Sequence, residues 1–384
     1  MRSSIWSKNF VILLVVNSLS SISIQSLIPI MPKYVATMGF SEVLLGLLSS
    51  SFALAAMMAR PFAGCAGDFL NRRLIITITL AGTTLSLLAY TLTINLNLIL
   101  LIRFIQGAFY GFYTTITLTA ITYVLPEDKM GLGVGLFSIT LVGSQAIAPA
   151  LGMWVVVLYG YNAFFYFNAI ITLITTILAL LIGKQEINYK AERKILTIKN
   201  FIATEAIVYA IVNLLQVYTF ASISTFLLLY GDARGIQGSE SYFTICAATI
   251  IIVRLLGSKI YDIVNIRSVI YICYSLIAAS LVLLYFSTNI LLLLISACIY
   301  GVGYGFASPA LQIECIKSVS KNRRGSASAT NYIAMDAAHI ISPAITGRII
   351  FSYGYNFAFI YMIPILLFGM IIIHKTKDKC KLST

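Results

Sequence analysis

Of the thirteen acidic residues in this 384-residue chain, Asp336 alone lies near the middle of a long apolar stretch. Burial disfavours the charged form of a carboxylic acid, so a group placed there can take up and release protons near neutrality. His339 stands one turn away, and Ser328, Asn331, Ser342 and Thr346 share the stretch. Together they predict one polar face that carries or senses a coupling proton, or meets a cationic ligand. A neutral Asp336 bonded inside a helix interface is the structural alternative. Four other apolar stretches carry polar residues at helical spacing. The first has Asn17, Ser21 and Gln25, and the second has Arg103, Gln106, Tyr110, Thr114 and Thr117 with Tyr113 beside them. The third has Tyr209, Asn213, Gln216 and Thr219, and the fourth Tyr300, Tyr304, Ser308 and Gln312. Polar groups facing lipid have no water to bond, so such stripes turn toward a partner helix or an aqueous cavity. Four stripes predict a central hydrophilic cavity. There Tyr110, Tyr113, Tyr300 and Tyr304 stack on or bond a drug-sized ligand, while Asn17, Gln25, Gln106, Asn213 and Gln216 add neutral bonds. Bonds between neighbouring helices, worth about 0.6 kcal/mol each, are the plainer account of any single Ser or Thr.

The elements that must hold these groups are membrane spans. Hydrophobic residues make up 59% of the chain and charged residues 10%, against about 25% charged in soluble domains. Runs of the roughly 20 apolar residues that cross a bilayer recur at 10–31, 43–65, 73–94, 98–123, 132–157, 161–183, 201–230, 240–260, 267–287, 290–315, 326–350 and 356–374. The sequence also repeats. Tyr159, Gly160, Tyr161 and Asn162 return as Tyr353, Gly354, Tyr355 and Asn356, a displacement of 194 that also superposes Asp68 on Asp262, Gly107 on Gly301, Tyr110 on Tyr304, Gly111 on Gly305 and Pro149 on Pro343. The expectation is an all-α membrane protein: twelve transmembrane helices in two six-helix repeats around a central cavity. Residues 1–183 would form the N-terminal bundle, 184–200 a basic cytoplasmic linker and 201–384 the C-terminal bundle. The formal charge of +13 sits on alternate connections, with only Lys33 and Arg234 opposite, which places both termini in the cytoplasm. That distribution reads as topology and not as nucleic-acid binding.

Between the second and third spans, Gly64-Cys-Ala-Gly-Asp68-Phe-Leu-Asn71-Arg72-Arg73 resembles the loop motif of the major facilitator superfamily, and the resemblance covers the whole chain. It implies a gating role for Asp68, Arg72 and Arg73, with Asp262 as the degenerate second copy; simple loop-charge topology is the alternative. Phe69 departs from the motif where a basic residue is usual and Asn71 where glycine is usual, and asparagine also tolerates a left-handed turn. Leu101-Ile-Arg103-Phe-Ile-Gln106-Gly107 is similar to the family motif whose intramembrane arginine accompanies proton transfer. Arginine keeps its proton, so Arg103 would act electrostatically, on an acid's proton affinity or on an anionic substrate group. Its depth costs at least about 2.5 kcal/mol. Gly135, Pro149 and Gly152 fit the family's antiporter motif, in which small residues allow close packing across the repeat interface, although Ser144, Ala148 and Met153 replace three glycines.

The resemblance implies a secondary transporter of the plasma membrane, in a bacterium and acting as a monomer, that exports a small organic compound by proton antiport. Symport or uniport of a sugar or other metabolite is the alternative. Two histidines, six scattered cysteines and no phosphate-cradling motif speak against an enzyme, a metal site, an ATP-driven pump or any cofactor.

Overall fold

In a computed structural model the described residues, 6–125, 130–183, 203–257, 265–319 and 324–375, form helices and turns only. The linker at 184–200 and Asp262 lie outside the described residues, as do the side chains of Asp68 and Gly135. Packing divides the chain into two compact units, Met1–Arg193 and Lys194–Thr384. The first holds α1 (Lys8–Ala36), α2 (Glu42–Phe69), α3 (Arg72–Tyr90), α4 (Leu96–Val124) and a run Met130–Ala179 that breaks at Gly160. Its limbs, 130–159 and 161–179, are α5 and α6. The second unit holds α7 (Ile207–Ala233), α8 (Ser241–Gly257), α9 (Ile266–Phe286), α10 (Ile290–Lys317), α11 (Arg324–Tyr353) and α12 (Ile363–Lys375). With Met130–Ala179 taken as one, nine helices among the described residues are long and apolar enough to cross a membrane, and Ser241–Arg254 is a shorter apolar helix. α11, the polar helix bearing Asp336, is not among the nine.

Local chemistry explains where helices start and stop. Asn95 and Asn289, 194 residues apart, cap α4 and α10: each side-chain oxygen accepts a backbone N–H at 3.0 Å, from Asn97 and Leu292 respectively. Such caps satisfy one of the donors a helix start leaves open. Asn265 caps α9 in the same way, accepting the Arg267 N–H at 2.9 Å, whereas Asn71 stands at the N-cap of α3 without a side-chain cap bond. Asn71 has φ −66° and ψ 107°, the extended backbone of an N-cap and not a left-handed turn. The repeated tetrapeptide has a repeated backbone. Gly160 lies at φ 83°, ψ 176° and Gly354 at φ 79°, ψ 171°, a region open essentially to glycine alone. One break separates α5 from α6, the other α11 from the turns that lead into α12.

Helix seams repeat as well. α2 lies along α4 because Gly107 and Gly111 leave room for the carbonyl oxygens of Phe52 and Ala56, which an added Cβ would strike. In the second unit Gly301 faces the Cys246 carbonyl, and Gly305 faces Ile250 and Val253. Positions 52 and 246, like 56 and 250, are 194 apart.

Candidate functional site

The first unit buries its polar residues against one another. Arg103, 2% exposed, donates from Nη1 to Gln106 Oε1 at 2.9 Å, and Tyr90 donates its hydroxyl to the same oxygen at 3.0 Å. The guanidinium lies 4.4 Å above the Phe52 ring, whose centroid is 5.3 Å from that of Tyr110. Arg103 thus tops a layered cation and two aromatic rings, an arrangement that is attractive through the ring quadrupole. Asn17 donates to Thr140 Oγ1 at 2.5 Å and accepts from the Tyr113 hydroxyl at 3.4 Å. Gln25 and Tyr110 are half-buried, whereas Asn17, Gln106 and Tyr113 are buried.

The second unit follows the same rule with different groups. Asn213 donates to Asn331 Oδ1 at 2.8 Å, and Gln216 donates to the Tyr304 carbonyl at 3.1 Å. Tyr300 bonds Thr219 Oγ1 at 2.8 Å and stacks on Tyr304 with centroids 5.8 Å apart. A hydroxyl chain joins α7, α11 and the turn before α12. Ser222 meets both Ser342 and Thr346, Tyr361 meets Thr346 at 2.6 Å and Tyr218 at 3.0 Å, and Ser342 donates to the Tyr218 carbonyl at 2.5 Å.

This packing divides the single polar face expected on α11. Asn331, Ser342 and Thr346 are fully buried, and Ser342 and Thr346 bond α7 as Asn331 does, while Asp336 and His339 are half-buried. The reason is rotation: five residues at about 100° each carry Asp336 roughly 140° round the helix from Asn331. At Gly152 an added Cβ would meet Ile30 and Ser26 of α1 and Phe164 of α6, close approaches within the first unit. Pro149 is buried within α5.

Among the expected gating residues, Arg72 is 4% exposed and lies 3.7 Å above the Tyr123 ring of α4, while Arg73 is half-buried. Tyr123, Tyr90, Phe52 and Thr140 escape sequence reasoning, since nothing in their local spacing marks them as partners of Arg72, Arg103 or Asn17. No group of three or more His, Cys, Asp or Glu suited to a metal ion occurs among the described residues.

The family model for the Major Facilitator Superfamily matches residues 13–343 and, again, 267–379. An uncharacterised MFS-type transporter of Methanocaldococcus jannaschii is 26% identical over 334 residues, covering 83% of this chain and 85% of that protein. Multidrug resistance protein 2 of Bacillus subtilis is 20% identical over 387 residues, covering 96% and 95%. A mutant of the nucleoside transporter NupG superposes with a TM-score of 0.83 at 15% identity, over 96% of this chain and 99% of its own.

Proposed function

Because the chain belongs to the Major Facilitator Superfamily, we propose that it is a secondary active transporter that exports a small organic compound in exchange for inward-moving protons. In this reading α5, α6, α8 and α11 each cross the membrane. They complete twelve crossings in two six-helix repeats, with both termini in the cytoplasm of a bacterial cell and the monomer as the working unit. Transport proceeds by alternating access. Asp336 carries the reading: it is a half-buried carboxyl in the middle of α11, with His339 one turn on. These two take the coupling proton, and the fixed charge of Arg103 supports coupling electrostatically. Gln25 and Tyr110, the half-exposed members of the expected cavity, meet the substrate first. Asn17, Gln106, Tyr113, Asn213, Gln216, Tyr300 and Tyr304 line its path. Asp68, Arg72 and Arg73 latch the cytoplasmic side, with Asp262 as their counterpart. The likeness to a multidrug resistance protein along nearly the whole chain supports export.

Uptake of a sugar or other metabolite by symport or uniport is the second reading, which Ser144, Ala148 and Met153, in place of the antiporter motif's glycines, leave open. The test is collapse of a pH gradient in energised inside-out vesicles challenged with lipophilic cations, sugars and zwitterionic amino-acid conjugates. One compound class should dissipate the gradient in wild type and not in Asp336→Asn. A variant that keeps both proton-driven transport and substrate affinity removes Asp336 from coupling.

A further inference from the structure

In the second unit α9 begins where α12 ends. Tyr274 of α9 faces Gly369, where an added Cβ would come within 2.7 Å of its ring, and Tyr271 faces His374, so the two helices run antiparallel in close contact. Both lie in segments able to cross a membrane, Ile266–Phe286 and Tyr355–Lys375, which brings the start of one and the end of the other to the same membrane surface, at headgroup depth. There the Tyr271 hydroxyl lies 2.7 Å from His374 Nδ1. Arg267 stands one turn before Tyr271 on the same face of α9. Lys375 follows His374 and shares a face of α12 with Ile371 and Phe368, and all four are exposed, as is Ile272 of α9.

The repeat supplies a control. The displacement of 194 maps Arg267 on Arg73, Tyr271 on Thr77, His374 on Leu180 and Lys375 on Leu181. Leu180 and Leu181 are exposed, and Thr77 donates its hydroxyl to the Arg73 carbonyl at 2.9 Å. The scaffold therefore accepts apolar residues at this edge. Topology and the helix dipole both favour a cation at the end of α12, and Lys375 satisfies them. Neither calls for an imidazole held by a phenol. In a neutral imidazole the partner of one nitrogen decides where the proton sits: with Tyr271 donating to Nδ1, the N–H is on Nε2. His374 then presents a fixed donor at the membrane surface, flanked by the charges of Arg267 and Lys375 and bordered on the membrane side by exposed apolar side chains. That is the layout of a phospholipid, with its phosphate at the surface and its acyl chains beneath.

We propose that Arg267, Tyr271, His374 and Lys375 form a binding site for an anionic phospholipid. Its phosphate bonds His374 Nε2 and Lys375, Arg267 adds attraction, and the acyl chains lie over Ile371, Phe368 and Ile272. Tyr271 is the positioning residue that fixes the imidazole. With α12 ending in the cytoplasm, as proposed above, the lipid belongs to the inner leaflet; only the leaflet rests on that reading.

The test is native mass spectrometry of the full-length protein, delipidated in detergent and titrated with phosphatidylglycerol or with phosphatidylcholine of the same acyl chains. Wild type should retain phosphatidylglycerol at least about tenfold more tightly, through the two flanking cations. His374→Leu, which copies the first unit, should weaken phosphatidylglycerol about tenfold, the loss of one hydrogen bond to a charged group. Tyr271→Phe should weaken it about threefold. His374→Gln should stay within about threefold of wild type, because its amide N–H replaces the lost donor. Every lysine and arginine remains in these variants, so a loss reports the histidine and not the positive charge of the chain at large. Tyr271→Phe decides the matter if His374→Leu does not fold. Equal binding of the two lipids by wild type, or a preference for phosphatidylglycerol that both His374→Leu and Tyr271→Phe keep in full, overturns the proposal. Such a result leaves proton coupling at Asp336 and export untouched, since lipid binding is read without a gradient.

Discussion

Gly111 and Gly305 occupy equivalent positions in the repeat, yet alanine should be costly at the first and close to neutral at the second. At Gly111 an added Cβ strikes the Ala56 carbonyl oxygen and comes within 3.0 Å of its carbonyl carbon and Cα. These are backbone atoms of α2, so relief requires α2 to move as a body. Overpacking costs about 1–3 kcal/mol, and the upper end applies when no side chain can turn aside. Alanine returns about 1 kcal/mol of helix propensity, which leaves a net loss of about 2 kcal/mol. At Gly305 the nearest atoms are Val253 Cγ1 at 3.1 Å and Ile250 Cα at 3.4 Å. A few tenths of an ångström of adjustment by one valine suffices, at a cost of about the same 1 kcal/mol that propensity supplies. Gly305→Ala should therefore be close to neutral. The assay is loss of helical circular dichroism on heating in one detergent at one scan rate, since unfolding of large proteins is commonly irreversible and its midpoint depends on the scan. Gly111→Ala melting at or above both wild type and Gly305→Ala would refute the close α2–α4 seam.

Two other substitutions test features on which the fold relies. Gly160→Ala and Gly354→Ala place a Cβ where no atom lies within 4 Å, but at φ 83° and 79°; each should cost about 1–3 kcal/mol from backbone strain alone, read by the same melting experiment. Equal stability of both variants and wild type would show that neither break needs a left-handed residue. Tyr361→Phe removes the hydroxyl that links Tyr218 to Thr346 and should cost about 1 kcal/mol. Thr346 keeps Ser222 and the Ser342 carbonyl, so a loss much beyond that would mean that the hydroxyl chain acts as one unit.

Sequence periodicity reads the backbone better than it reads contacts. The displacement of 194 anticipates that positions 160 and 354 behave alike, and it also relates the caps at Asn95 and Asn289 and the carbonyls that face Gly107 and Gly301. Caps, breaks and glycine seams depend on a residue and its immediate neighbours, so a single position carries the information. The partners of Arg103 depend on which helices meet and at what depth: Tyr90 belongs to α3, Phe52 to α2. A polar stripe cannot say whether it faces a cavity or a neighbour. In Asn17, Gln106, Asn213 and Gln216 the amide bonds a neighbouring helix of the same unit. On α11 the stripe was too wide to be one face, because Asp336 lies too far round the helix from Asn331.

The chemistry departs from the symmetry that the scaffold keeps. Position 297, equivalent to Arg103, is alanine, and position 300, equivalent to Gln106, is Tyr300, bonded to Thr219. Position 142, equivalent to Asp336, is valine, and position 145, equivalent to His339, is Gln145. Each unit thus holds a charged side chain that the equivalent position of the other lacks: Arg103, bonded to Gln106, in the first, and Asp336, half-buried on α11, in the second. A permanent cation can hold an anion but cannot carry a proton, whereas a carboxyl group can gain and lose one. In the proposed reading, the fixed charge belongs to the first unit and proton exchange to the second. Gln106→Leu should therefore leave Asp336 able to titrate, and Asp336→Asn should abolish proton exchange. Loss of proton exchange in Gln106→Leu would show that the two charges act as a single site.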